Sequence, residues 1–221
     1  MTMRSAAQQA TKKFMYSQVP GEYKTAEVKK ALELLIKANI IFPVTHTNSN
    51  GLPLGDGRDD GIRKMLLLDT GLMLRLLNMA MGNIRELTTH ILTATAADLV
   101  NKGPMAEMLA GLELLHYRTP NLQYELFYWQ RQAKNATAEV DYVLPNETQI
   151  LPVEVKAGVQ GGMKSLWAYM RERKLTQAIR CSLGNFGEFD YIDNMAEEPV
   201  RHVRIYPLYA IRELIWPCQH S

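Results

Sequence analysis

Residues 138–156 read AEVDYVLPNETQILPVEVK, and their pattern decides how the second half of the chain folds. Residues 138–144 have the composition and alternation of a strand. Pro145-Asn146-Glu147-Thr148 carries turn residues, and residues 149–156 return as a second strand. Side chains alternate faces along a strand, so Glu154 and Lys156 project to one side and Val153 and Val155 to the other, into a core. A hairpin at residues 145–148 folds Asp141 back toward Glu154. Two convergent carboxylates with a neighbouring ammonium suit a hard divalent cation, Mg²⁺ with Mn²⁺ as a substitute, which takes oxygen ligands and keeps several waters. Lys156 is then placed to orient a water or to stabilise charge developing on a phosphate. The spacing Asp-x12-Glu-x-Lys also fits a plain solvated strand face, so it does not define a site by itself.

The flanking sequence supplies the rest of a mixed α/β unit. Asn101-Lys102-Gly103-Pro104 breaks the chain before a helix with Pro104 at its first position. Met105, Met108, Leu109, Leu112 and Leu115 form its apolar face, and Glu107 on the same helix can complete the acidic cluster. Residues 122–129 form an aromatic strand. Ser165 to Arg173 is helical, and strands follow near 178–182 and 203–208.

The first half has a different order. Thr25 caps a helix on which Val28, Ala31, Leu32, Leu35 and Ala38 recur at helical spacing. A short strand at 40–44, a turn-rich stretch at 48–57 and a strand at 64–68 follow, the order of a winged-helix unit. Asp69-Thr70 caps a further helix carrying Leu72, Leu74, Leu76 and Leu77. The expectation is two separate cores: a linker and winged-helix-like module at 1–95, and a mixed α/β domain at 100–221.

Taken in order, Gly103…Glu107…Glu113-Leu114, Tyr128-Trp129, Glu139-Val140-Asp141, Pro152-Val153-Glu154-Val155-Lys156-Ala157-Gly158, Lys164-Ser165-Leu166 and Tyr206-Pro207-Leu208-Tyr209 resemble the uncharacterised domain that follows the ATPase in prokaryotic AAA-type proteins. Lys13 to Ser17, Leu34 to Ile40 and Lys64 to Leu72 resemble the linker and winged-helix region of the same proteins. The resemblance implies a PD-(D/E)xK, restriction-endonuclease-like fold: a mixed sheet flanked by helices with its acidic site on a central hairpin. It places Glu107, Asp141, Glu154 and Lys156 at the nuclease-type site and Ser165 at the start of a nearby helix. The function it implies is a Mg²⁺-dependent phosphodiesterase acting on DNA. The alternative is a catalytically idle module that binds nucleic acid or protein. Members of that group begin with an ATPase module, whereas no G-x(4)-G-K-[ST] occurs here; Gly158 to Ser165 comes nearest and fails the spacing. The chain is therefore expected to have no ATP site, and it reads as a truncated gene product or as the partner of a separately encoded ATPase half.

Bulk properties narrow the classes further. Hydrophobic residues make up 47% of the 221 and charged residues 22%, enough for a sizeable core. No apolar run is long enough to span a bilayer, and the N-terminus lacks a secretory signal, so no membrane partner is expected. Cys181 and Cys218 stand far apart outside any zinc spacing, which fits a reducing cytoplasm. The five histidines are scattered singly. Residues 1–80 carry 11 Lys and Arg against 7 Asp and Glu, a mildly basic balance that suits weak contact with DNA phosphates through Lys24, Lys29, Lys30 and Lys37.

Overall fold

A computed structural model of the chain describes residues 1–77, 102–116, 125–131, 138–146, 148–158 and 162–214. In chain order these form α1 (Thr2–Gln8), α2 (Thr25–Lys37), β1 (Ile41–Thr47), β2 (Arg58–Leu67), α3 (Thr70–Leu76), α4 (Lys102–His116), β3 (Leu126–Gln130), β4 (Glu139–Asn146), β5 (Gln149–Val155), α5 (Lys164–Glu172), β6 (Gln177–Ser182), β7 (Gly187–Ile192) and β8 (Val200–Pro207), followed by a 3₁₀ segment at Leu208–Leu214. The strands make one eight-stranded mixed sheet in the order β2-β1-β3-β4-β5-β6-β8-β7.

The hairpin expected at 138–156 lies at the middle of this sheet. β4 and β5 pair antiparallel from Asn146↔Gln149 to Tyr142↔Val153, while β5 pairs parallel to β6 on its other side. Alternation along β3 assigns each side chain to a layer. Tyr128 joins the cluster under α4, with Met105, Met108 and Leu114. Phe127 and Trp129 join the cluster under α5, with Leu166, Tyr169 and Met170. Helices on both faces thus bury both sides of the central strands. No helix among the described residues is long and apolar enough to cross a membrane.

Among the described residues, the two expected modules meet in one sheet and share a core cluster. β1 pairs antiparallel with β2 on one edge and parallel with β3 on the other, through Val44↔Leu126 and Thr45↔Phe127. Val44, Leu66 and Met73 share one core cluster with Met108, Leu114 and Tyr142. The β1–β2 hairpin is therefore not a free-standing wing but one end of the common sheet. β1 is buried along most of its length, and a buried strand must pair both edges to satisfy its backbone donors and acceptors.

One local reading holds in detail, and two helix starts shift by a residue or two. Asp69 caps α3, its carboxylate accepting from the Leu72 N–H at 2.7 Å. α2 opens at Thr25, one residue past its N-cap Lys24, whose N–H is taken by the Glu27 carboxylate at 2.8 Å. α4 starts at Lys102, so Pro104 sits within the first turn and not at its first position, where its missing N–H still costs nothing. Two elements lie outside the expectations. α1 buries Ser5, Ala6 and Ala7, residues too small to show an apolar stripe. β7 is an edge strand in which no side chain is fully buried, held in part by Trp167 stacked on Tyr191 at 4.2 Å.

Candidate functional site

A bulge in β4 sets up the site. Phe127 pairs with Val143 and Trp129 with Val140, so β4 carries one more residue than β3 across that interval. Val140 and Val143 both stay in the core under α5. The extra residue lets Asp141 and Tyr142 both approach α4, the re-aiming that bulges provide. The β4–β5 ladder ends at Tyr142↔Val153, and beyond it the Asp141 carboxylate replaces a strand partner by accepting from the Val155 N–H at 2.7 Å. On the other edge of β5 the Lys156 N–H donates to the Cys181 carbonyl at 2.8 Å.

α4 lies close against this region. Gly111 faces the Tyr142 hydroxyl and Leu66, where a Cβ would come within 2.6 Å of the leucine and closer still to the hydroxyl. The Tyr142 hydroxyl donates to the Glu107 carbonyl at 2.7 Å. That approach carries the Glu107 side chain into the cluster. One carboxylate oxygen each from Glu107, Glu139 and Asp141 lies within 4.8 Å of the others.

The cation beside these three acids is Lys64, from β2. Its side chain is fully buried, with Nζ 2.7 Å from Glu107 Oε1 and 2.5 Å from Glu139 Oε1. The ammonium also sits 4.7 Å from the centroid of the Tyr128 ring, a favourable placement for a desolvated cation. Glu154 and Lys156 form the other side of the cluster. Lys156 Nζ is 2.5 Å from Glu154 Oε1. Glu154 is only 4% exposed, and its Oε2 is buried with no hydrogen-bond partner.

Charge in this cluster is out of balance. Glu107, Glu139, Asp141 and Glu154 face two ammonium groups, Lys64 and Lys156. Burial, aided by Asp141, pushes the Glu107 carboxyl up to about 8 despite its contact with Lys64. Burial and then the Asp141 charge push Glu154 up to about 7. Asp141 is also raised, burial outweighing Lys64 and the Val155 N–H. For Lys64, burial favours the neutral form, but Glu107, Glu139 and Asp141 outweigh it and keep it protonated. The surplus is therefore relieved at the carboxylates: Lys64 keeps its proton, and some carboxylates hold protons near neutrality unless another cation arrives.

Of the residues singled out in the sequence, Glu107 and Asp141 converge with Glu139, while Glu154 and Lys156 pair beside that group, outside its 4.8 Å convergence, with the Asp141 charge bearing on Glu154. Ser165 lies in the first turn of α5. Sequence reasoning missed Lys64, Glu139, Tyr128 and Tyr142 as parts of it. Lys64 heads the apolar run Met65-Leu66-Leu67 and reads as an ordinary strand end, because its partners are 43 residues or more away. Glu139 stands two residues before Asp141 and shares its face by plain strand alternation, a signal that the sequence did offer. Elsewhere, His46 is buried with Nε2 3.1 Å from the Gln130 carbonyl, a packing role. Burial raises the Cys181 thiol to about 12, which makes it inert; Cys218 lies outside the described residues.

Residues 102–204 match the family model of a domain of unknown function, DUF4143, a domain found in AAA-ATPase-associated proteins. Residues 1–82 match a second domain of unknown function, DUF8612. No curated protein and no solved structure matches the chain. Glu107, Glu139, Asp141, Glu154 and Lys156 belong to the first matched segment and Lys64 to the second, so the charge cluster draws on both.

Proposed function

We propose that the chain is the PD-(D/E)xK nuclease-like module of an AAA-type ATPase system, a metal-dependent phosphodiesterase that acts on DNA. The observation that carries this reading is the Glu154 carboxylate: nearly fully buried, one oxygen on Lys156 and the other without a partner, beside an Asp141 whose charge it has to tolerate. A buried anionic oxygen left unpaired is costly, and a divalent cation between Asp141 and Glu154 removes that cost. The donor set fits Mg²⁺, which prefers carboxylate oxygens and fills the rest of its shell with water and phosphate. Asp141 and Glu154 hold the ion, with Glu107 beside them. A bound Mg²⁺ supplies a polarised water and charge neutralisation for a phosphodiester.

The chain's own residues do the remaining work. The Asp141 carboxylate is fixed by the Val155 N–H. Lys156, about a quarter exposed, offers its ammonium to a phosphate oxygen. Lys24, Lys29, Lys30 and Lys37 are all exposed on or beside α2, where they can follow a DNA backbone. Association with a separately encoded ATPase half is consistent with the setting of the matched domain. The test is cleavage of single- and double-stranded DNA with Mg²⁺ or Mn²⁺, for wild type, Glu154→Gln and Lys156→Ala. Metal-dependent cutting by wild type alone supports the reading; no cutting by wild type and no melting shift with millimolar metal removes it.

A second reading is favoured by Lys64. Its ammonium already bridges Glu107 and Glu139, as in a purely structural buried ion pair. On that reading the module is catalytically idle and serves to bind nucleic acid or protein.

A further inference from the structure

We infer that Lys64 is the resident cation of the Glu107–Glu139 side of the cluster, and that it limits the site to a single divalent ion on the Asp141–Glu154 side. This rests on the metal-binding reading above and specifies how the site is filled. Oxygens of Glu107, Glu139 and Asp141 converge within 4.8 Å, a grouping that could hold a metal ion. The Lys64 ammonium lies at 2.7 Å and 2.5 Å from two of those acids and is fully buried. It cannot leave easily: the stem is sealed in the protein, and the ammonium also faces the Tyr128 ring at 4.7 Å. A dication placed between the same acids would have to displace it or lie against it, and like charges at that range repel strongly in a poorly solvated site.

The Asp141–Glu154 side is different. Its cation, Lys156, engages only one Glu154 oxygen and is a quarter exposed, not sealed in the protein as Lys64 is. The other oxygen is unpartnered. Asp141 joins the two sides, its carboxylate grouped with Glu107 and Glu139 while its charge also bears on Glu154. Lys64 is thus a positioning residue. It fixes Glu107 by a charge-assisted hydrogen bond and Glu139 by an ion pair, and supplies, from the segment of residues 1–82, one positive charge that a second metal ion would otherwise provide. The segment carrying the acids has this counter-charge only when β2 is in place.

The experiment counts Mn²⁺ ions bound per chain, from the electron paramagnetic resonance signal of free Mn²⁺ during titration of the full chain. Wild type should bind one, Lys64→Arg one, and Lys64→Met two, because removing the ammonium frees the Glu107–Glu139 oxygens. A purely structural lysine would not change the count. If wild type and Lys64→Met each bind one Mn²⁺, the inference is overturned and the metal reading stands. If wild type binds none and Lys64→Met binds one, Lys64 does occupy the Glu107–Glu139 side, but the single ion on the Asp141–Glu154 side is overturned and the metal reading falls with it. If neither binds, both fall. Should Lys64→Met not fold, Glu107→Gln decides: its Mn²⁺ affinity should stay within about threefold of wild type. A loss of about tenfold or more, the size seen even when a group that only supports a metal ligand is removed, would tie Glu107 to the ion and overturn the inference.

Discussion

Replacing Glu154 by Gln should stabilise the metal-free protein at alkaline pH. In the folded chain the Glu154 carboxyl is raised from an ordinary 4.5 to about 7, first by burial and then by the Asp141 charge. Between those values the folded state holds a proton that the unfolded state has released. Stability therefore falls as pH rises through this window and stays low above it. The whole shift corresponds to roughly 3 kcal/mol lost by about pH 8. Gln keeps the shape and can still accept from Lys156, but it does not titrate. At pH 4.5 wild type and Glu154→Gln should be nearly equal in stability. At pH 8 with a chelator present, the variant should be more stable by about 2–3 kcal/mol, a rise in melting temperature of roughly 5–10 °C for a chain of this size. The assay is urea and thermal unfolding at both pH values in the presence of chelator. Saturating Mg²⁺ should then stabilise wild type by about 3 kcal/mol at a hundredfold excess over its dissociation constant, and leave the variant unmoved. A variant equal to or less stable than wild type at pH 8 without metal would refute the idea that Glu154 is a buried, under-compensated charge.

Other perturbations probe the frame around the site. Gly111→Ala should destabilise by about 1–3 kcal/mol despite its better helix propensity, because the new methyl meets the Tyr142 hydroxyl and Leu66; chemical denaturation reads it directly, and a neutral result would mean that α4 sits less tightly than described. Tyr142→Phe should cost about 1 kcal/mol by removing the hydroxyl's hydrogen bond to the Glu107 carbonyl, and a loss above about 3 kcal/mol would show that the hydroxyl also supports the carboxylate cluster. Reversing the exposed Lys29 and Lys30 to Glu should weaken DNA binding and flatten its salt dependence, measured by fluorescence anisotropy; unchanged binding would move the DNA surface elsewhere.

Legibility followed sequence distance. The β4–β5 hairpin, the Asp69 cap of α3 and the bounds of α5 rest on residues within a few positions of one another, and each was readable. So was the shared face of Glu154 and Lys156, which follows from strand alternation alone. The union of the two halves was not. It depends on β1 joining β3 across more than 80 residues, and no local pattern in Val44 or Leu126 names the other. The winged-helix expectation is not confirmed for the same reason: helix, strand, turn and strand come in the expected order, but the order does not say what lies on the far edge of β1. Lys64 escaped notice because a lysine at the head of an apolar run usually marks a strand end, and only its distant partners Glu107 and Glu139 make its burial sustainable. The bulge that re-aims Asp141 is likewise a property of its pairing with β3, not of its own strand.

The most direct test of the metal reading is a crystal of the full chain equilibrated with millimolar Mn²⁺ and examined for anomalous scattering. One peak per chain is expected, in coordination distance of Asp141 and of the Glu154 oxygen that now lacks a partner, with Lys64 still on Glu107 and Glu139. Ordered density for all of these side chains with no anomalous peak among them would contradict it.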